Sequence, residues 1–455
     1  MSRIHARLGG TRDRDSGVTI IEIMVAMMVF AMIAVSVAYA LTLSLSMGND
    51  NRSREAAANL VAQEIDLNRA VEDLFTLVDA DKTTTINGTT FHLHRQTNWV
   101  TSVSADATCG SGGGQLKYKR VNVSVTWDGM RASTLPVRAD TVIAPGTRIN
   151  DPTLGTILVS VRGSSGTGKA GVIVSAAPAI PAAGAATLTE IPDPTDAQGC
   201  SYILKVVPGN YNVTVSAANS VDVNQVSTPV SFVGVGAGAA ASVAFQYDRS
   251  GAYTVTYASN APAGSAILPT NLDTTFMSTY PLYTRTATTS AVSKVYELHP
   301  FASGYQIFSG KYVASSATLP GCLSPNPAEW TVPRADGAVG HAVPAVATLP
   351  GVPVAATVPM GLVTVTGLNG KFLKAVSQAY APGTGAAGCG GTMNYSFGQL
   401  NSNSVTVALP YGAWRLTSGT ALGAETTAVT SGLSAPPPSS VLSGVLTLDP
   451  RVVAP

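Results

Sequence analysis

The sequence predicts a multidomain chain: a long N-terminal α-helix, an antiparallel sheet beside it, and a series of all-β sandwich modules. Three observations predict it. An apolar run fills residues 18–47, and alternating strand patterns begin soon after the polar continuation of the same helix. Beyond residue 150, short β-branched segments are separated by turn signals about every ten residues. A length of 455 residues is too great for one domain. Charged residues make up only 12% and the net charge is +1, so there is no basic footprint for nucleic acid and no acidic tail.

The helix comes first. From Val18 to Met47 the residues are apolar or small and uncharged, except Glu22. As a helix the run is about 45 Å long, enough to cross a hydrocarbon core of about 30 Å. A plain single-span anchor explains the run but leaves Glu22 a stray, because a carboxylate inside a membrane is costly and usually functional. Arg3, Arg7, Arg12 and Arg14, against Asp13 and Asp15, precede the run. They place residues 1–17 in the cytoplasm and the C-terminal body outside. A secretory signal would have a shorter apolar core followed by a small-residue cleavage site; here Gly17 stands before the core.

Gly17-Val18-Thr19-Ile20-Ile21-Glu22-Ile23 resembles the processing motif of type IV prepilins and pseudopilins. That family has glycine before the cut, a hydrophobic first mature residue and glutamate at the fifth mature position. All three match, although Val18 stands where phenylalanine is commoner and the leader is somewhat long. The resemblance implies cleavage between Gly17 and Val18 by a prepilin peptidase and N-methylation of Val18. It also implies assembly with other pilin subunits through the helix, Glu22 pairing with a neighbour's N-terminal amine. Elementary electrostatics agrees. A free Val18 amine is mostly cationic at neutral pH, and Glu22 lies about one turn on, near the positive end of the helix dipole.

Past Met47 the pattern stays helical, with Leu60, Leu67, Val71, Leu74 and Val78 on one face. No proline interrupts residues 18–80, which predicts one helix over that span, with Gly48 as a bend and Asp79-Ala80-Asp81 as its end. Residues 81–149 then read as a sheet. Phe91 and Leu93 alternate with His92 and His94, and Val121, Val123, Val125 and Trp127 form a half-buried strand. Asp128-Gly129 marks a turn before a strand within residues 132–143. A long helix followed by antiparallel strands is the order of a pilin head, and the VNVSVTW stretch resembles a strand of minor pseudopilins. His92 and His94 share a strand face, but no third ligand is near, so no metal site is assigned.

The outer chain divides into modules at 150–250, 251–342 and 361–455, with a proline-rich linker at 343–360. The first, with Ile157–Val161, Val172–Ser175 and Pro208-Gly209-Asn210-Tyr211, resembles carboxypeptidase-regulatory-like and Cna-B-like immunoglobulin-type modules. A related order recurs at Leu362–Val365, Lys374–Val376, Val405–Val407 and Pro410–Leu416. Tyr253–Tyr257, Val295–Leu298 and Tyr305–Phe308 are strands of a unit between them, or of an extension of the first. Val441–Leu448 is a closing strand. Cys109, Cys200, Cys322 and Cys389 are widely spaced, with no metal-ligand pattern; outside the cell they allow one or two disulfides of undetermined pairing.

Residues 163–170, GSSGTGKA, come close to a phosphate-binding loop. Ala170 stands where magnesium needs a Ser or Thr, and a strand follows where a helix is needed. A hairpin loop is the better reading. No catalytic motif and no cofactor signature are recognisable. The sequence therefore points to a non-enzymatic minor pilin or pseudopilin of a type IV pilus or type II secretion-like filament. It would be a single-pass membrane protein before processing and be displayed at the cell surface afterwards, its β-modules free to meet a surface or protein ligand. The rivals are a single-span adhesin with immunoglobulin-like domains that never polymerises, and an extracellular enzyme with its site in an outer module.

Overall fold

One helix, Ile20–Arg69, runs for 50 residues and about 75 Å. The computed structural model describes residues 19–101, 106–107, 109, 116–131, 133–145, 151–316, 321–379 and 385–452. The helix buries one face only in its last third, through Ala57, Val61, Glu64, Ile65 and Asn68. This corrects two expectations. The helix stops at Arg69, not at residue 80, and its packed face is not the Leu60–Leu67 stripe, since Leu67 is exposed. The cause is local. Beyond the C-cap Ala70, Asp73 accepts from the Phe75 amide at 2.9 Å and its carbonyl accepts from the Thr76 hydroxyl at 2.7 Å. Such turns offer the backbone an alternative to the helix. Leu74 and Leu77 are buried, but from an irregular segment.

The chain forms two compact units: residues 1–98 with 119–144, and residues 99–118 with 145–455. In the first, the strands Ala80–Ile86, Thr89–Thr101, Leu116–Trp127 and Val137–Ile143 pair in chain order. Asn87-Gly88 turns the first hairpin, Gly88 at φ +82°. Phe91, Leu93, Val121, Val123, Val125 and Trp127 are buried, as the alternation requires. The predicted head therefore cedes residues 99–118 to the outer unit, where Cys109 is disulfide-bonded to Cys200.

The outer unit repeats one pairing scheme three times. Gly155–Arg162 pairs antiparallel with Cys200–Val206, and Ile173–Pro178 with Gly209–Ser216. Gly251–Tyr257 pairs with Ser293–Leu298, and Asp273–Met277 with Gln306–Ser309, again antiparallel. Gly361–Thr366 pairs with Ser404–Leu409, and Phe372–Ser377 with Gly412–Gly419, in the same sense. In the first two repeats a last strand closes parallel to the opening one: Ala240–Arg249 on Gly155–Arg162, and Pro353–Val358 on Gly251–Tyr257. The third closes differently, with Leu433–Ser434 antiparallel to its opening strand.

Each repeat carries a buried aromatic that bonds back to a carbonyl just upstream. Tyr211 donates to Val207 O, Tyr305 to His299 O and Trp414 Nε1 to Pro410 O, each at 2.8 Å. The glycine two residues before the first and third aromatics is required. Gly209 (φ +154°) and Gly412 (φ +139°) sit where a Cβ would meet Ala185 N at 2.1 Å and Ser324 Oγ at 2.7 Å.

Two further expectations are corrected here. Residues 343–360 are not a linker, because Pro353–Val358 is a sheet strand; Pro353 is its first residue, on an edge strand, where no amide is demanded of it. The second and third repeats also do not have separate cores. One apolar cluster runs from Tyr253 to Leu448, whereas the first repeat has its own, from Ile157 to Tyr247. The predicted closing strand is a hairpin, Ser440–Leu442 with Val445–Leu448, turned at Ser443-Gly444.

Candidate functional site

The candidate site is the free half of the helix. Thr19 is extended, and its hydroxyl accepts from the Glu22 amide at 3.3 Å, capping the first turn. Thr19 and Glu22 have the Thr-x-x-Glu spacing of a capping box, a start signal available in the sequence that periodicity alone did not supply. Glu22 therefore stands in the first turn, where the dipole favours a carboxylate. Ile23, Ala26, Met27 and Phe30 stand beside it on the same exposed helix. Gly17 and Val18 lie outside the described residues; the helix begins two positions beyond Val18.

Every residue from Thr19 to Asn49 is exposed, and in that stretch Glu22 is the one acidic or basic side chain. The most apolar 18-residue window has a mean hydropathy of 2.6, with none of it buried. Two hydroxyls in the run are satisfied by the helix itself: Ser36 donates to Met32 O and Thr42 to Tyr39 O, each at 2.8 Å. Such a surface needs lipid or other apolar helices to cover it.

The packed half is fixed to the sheet by a buried ionic group that periodicity did not reveal. The Glu64 side chain is 4% exposed and accepts from Lys82 Nζ at 2.7 and 3.0 Å and from Arg95 Nη1 at 2.9 Å. Arg95 also donates to Asn68 Oδ1 at 2.8 Å and Val78 O at 2.9 Å. Higher on the helix, Arg131 Nε pairs with Asp50 at 2.9 Å and its guanidinium donates to Ser46 Oγ. At the helix end Arg69 donates to Thr141 Oγ1 at 3.0 Å. The stalk thus holds its head by polar contacts at three heights.

The remaining candidates are dispersed. His92 bonds Asp128 at 3.0 Å and His94 bonds Asp81 at 2.7 Å, two separate exposed pairs. No group of three potential metal ligands occurs among the described residues. In the loop at 163–169, Asp248 occupies the place an anion would take: it accepts from the Ser164 amide at 2.9 Å and pairs with Lys169 at 2.6 Å. The strand Ile173–Pro178 follows. The cysteines pair as Cys109–Cys200 and Cys322–Cys389, all four buried.

Residues 12–38 match the model of the prokaryotic N-terminal methylation motif, so the chain carries a prepilin-type N-terminal segment. No curated protein matches the chain. Among solved structures it is similar to the Bacillus anthracis TIE protein, at 10% identity and a TM-score of 0.20, over 76% of this chain and 68% of that one. It is also similar to a streptococcal ancillary pilin, at 10% identity and a TM-score of 0.20, over 61% and 80%. The major pilin subunit of Bacillus cereus aligns at 10% identity and a TM-score of 0.16, over 58% and 87%.

Proposed function

We propose that this chain is a minor pilin or pseudopilin subunit of a type IV pilus or type II secretion-like filament. A prepilin peptidase cuts between Gly17 and Val18, Val18 is methylated, and residues 19–49 enter a bundle of like helices. Glu22 meets the Val18 amine of a neighbouring subunit and sets the register of entry. One observation carries the reading. A methylation motif over residues 12–38 leads into a helix that is exposed along its whole apolar half, with a single carboxylate in its first turn. A carboxylate there is costly in lipid, roughly 2.5–3.5 kcal/mol at a bilayer centre, and a neighbouring amine relieves that cost. Three sandwich repeats beside one helix favour a minor position over a close-packed major one. The role is structural and non-catalytic, in the membrane before assembly and at the cell surface after it, where the outer repeats are available to a surface or protein ligand.

The test is the mature N-terminus. Mass spectrometry of protein recovered from membranes of a host with an active prepilin peptidase should find a chain beginning at N-methylated Val18. An intact Met1, or a cut elsewhere, refutes the reading and leaves a single-span surface protein.

A further inference from the structure

The two disulfides bridge residues far apart in the sequence. Cys109 falls in sequence between two strands of the head sheet, Thr89–Thr101 and Leu116–Trp127, and its partner Cys200 opens a strand of the first repeat. Cys322 lies between two strands of the second repeat, Gln306–Ser309 and Pro353–Val358. Its partner Cys389 lies in the third repeat, between Phe372–Ser377 and Asn394–Gln399. Each bond therefore closes a long loop, Cys109–Cys200 within the outer unit and Cys322–Cys389 within the core shared by the second and third repeats. The sequence separations they close are 91 and 67 residues.

The joint between the first and second repeats is of another kind. Ala240–Arg249 passes into Gly251–Tyr257 through Ser250 alone. Ser250 Oγ donates to Glu297 Oε2 at 2.7 Å, Gln225 Nε2 to Tyr305 Oη at 3.0 Å, and the His299 amide to Gln225 Oε1 at 2.7 Å. That joint is short and hydrogen-bonded.

We propose that the disulfides are load bypasses. Tension applied between the helix and the C-terminal end crosses from Cys109 to Cys200 and later from Cys322 to Cys389. Once the folds open, the chain between each pair stays out of the stretched path. That spares the strands Leu116–Trp127, Val137–Ile143, Gly155–Arg162 and Ile173–Pro178 at the first bond. At the second it spares Pro353–Val358, Gly361–Thr366 and Phe372–Ser377. The physiological use of the device rests on the proposed function, in which the helix is the anchored end and the outer repeats meet a load. Its mechanics do not, since any pull along the chain engages it. All four cysteines are buried, 3–6% exposed, so the bonds are shielded from soluble thiols while the repeats stay folded.

The experiment is single-molecule stretching of the full chain in detergent, gripped by peptide tags at both termini and coupled without thiols. At about 3.4 Å per residue, the separations correspond to about 300 Å and about 230 Å of hidden length. The Cys109→Ser/Cys200→Ser variant should release about 300 Å more total length than the unmodified chain, and Cys322→Ser/Cys389→Ser about 230 Å more. Total length is read from the fully stretched chain, so the comparison holds even for a variant that fails to fold. Adding tris(carboxyethyl)phosphine to a stretched unmodified chain should give the same two increments as discrete steps. Equal total lengths in all three proteins, or no step on reduction, overturn the proposal. The instrument supplies the load, so failure here leaves the N-terminal processing test untouched, and failure of that test leaves this one untouched.

Discussion

Glu64→Ala should loosen the head selectively, and the expected size follows from the contacts. The mutation removes a 4%-exposed carboxylate and leaves Arg95, 13% exposed, with Asn68 Oδ1 and Val78 O as its remaining acceptors. Breaking a buried ion pair from one side costs roughly 3–5 kcal/mol. Lys82 is half exposed and regains water, so its share is discounted to about 1 kcal/mol or less. The lower end of the range, about 3 kcal/mol, is therefore expected, equivalent to about a hundredfold more of the opened head. The assay is hydrogen exchange by mass spectrometry on the full chain in detergent. Amides at Phe91–Arg95 and Val121–Val125 should exchange about a hundredfold faster, while those at Tyr211–Val215 and Val363–Val365, in the other compact unit, serve as the unchanged control. Lys82→Ala should shift the same head amides by less than about fivefold. A change under about tenfold for Glu64→Ala, or equal effects of the two substitutions, would refute the claim that a desolvated ion pair couples stalk to sheet.

Two further outcomes are expected. Glu22→Ala should leave membrane insertion intact, since it removes the one charge in an apolar run, yet lower recovery in sheared filaments by about tenfold, the effect of losing one desolvated charge pair; unchanged recovery would remove Glu22 from assembly. The joint at His299 should be sensitive to mild acid. Burial pushes this imidazole below its ordinary value, against the Val221 carbonyl and the Asp248 and Asp222 charges, which push it up. A depressed folded value means the stabilisation is present above about pH 6.5 and lost as the pH falls through the folded value. Exchange at residues 219–226 and 297–305, corrected for intrinsic rate, should therefore accelerate below about pH 6.5, and His299→Gln should flatten that dependence. A variant that keeps the full pH dependence would assign it elsewhere.

How much of this was legible depends on the range of each signal. The apolar run and the carboxylate at Glu22 are local facts, and so is the alternation from Val121 to Trp127; the fold reproduces the pattern because nothing distant competes with it. The helix end is hidden for the opposite reason. Val71, Leu74 and Val78 continue a helical period, and only the Asp73 turn and the buried seats of Leu74 and Leu77 take the chain out of it. Glu64 gave no signal because its partners, Lys82 and Arg95, reach it through strand pairing, not through spacing along the helix. Pro353 looked like linker because a proline cannot pair within a central strand; at the first position of an edge strand that objection disappears. The pairing of the four cysteines is long-range information and was never in the spacing.

The low charge content sharpens one point about how the chain is built. With 12% charged residues, buried charges are few, and three of them, Glu64, Asp248 and Arg451, sit where separate segments meet. Glu64 joins helix to hairpin through Lys82 and Arg95. Asp248 ties the last strand of the first repeat to the loop at 163–169. Arg451 grips Asp449 through Nε and Nη2, donates to Val332 O at 2.7 Å and lies over the Trp330 ring, fastening the C-terminal segment to a loop more than a hundred positions earlier. Apolar burial is non-directional and would tolerate a slipped register at each of these places, whereas a desolvated carboxylate accepts one arrangement of donors. The free half of the helix obeys the same logic. Its single carboxylate, Glu22, stands on a surface exposed from Thr19 to Asn49, and under the proposed function a neighbouring subunit supplies its partner.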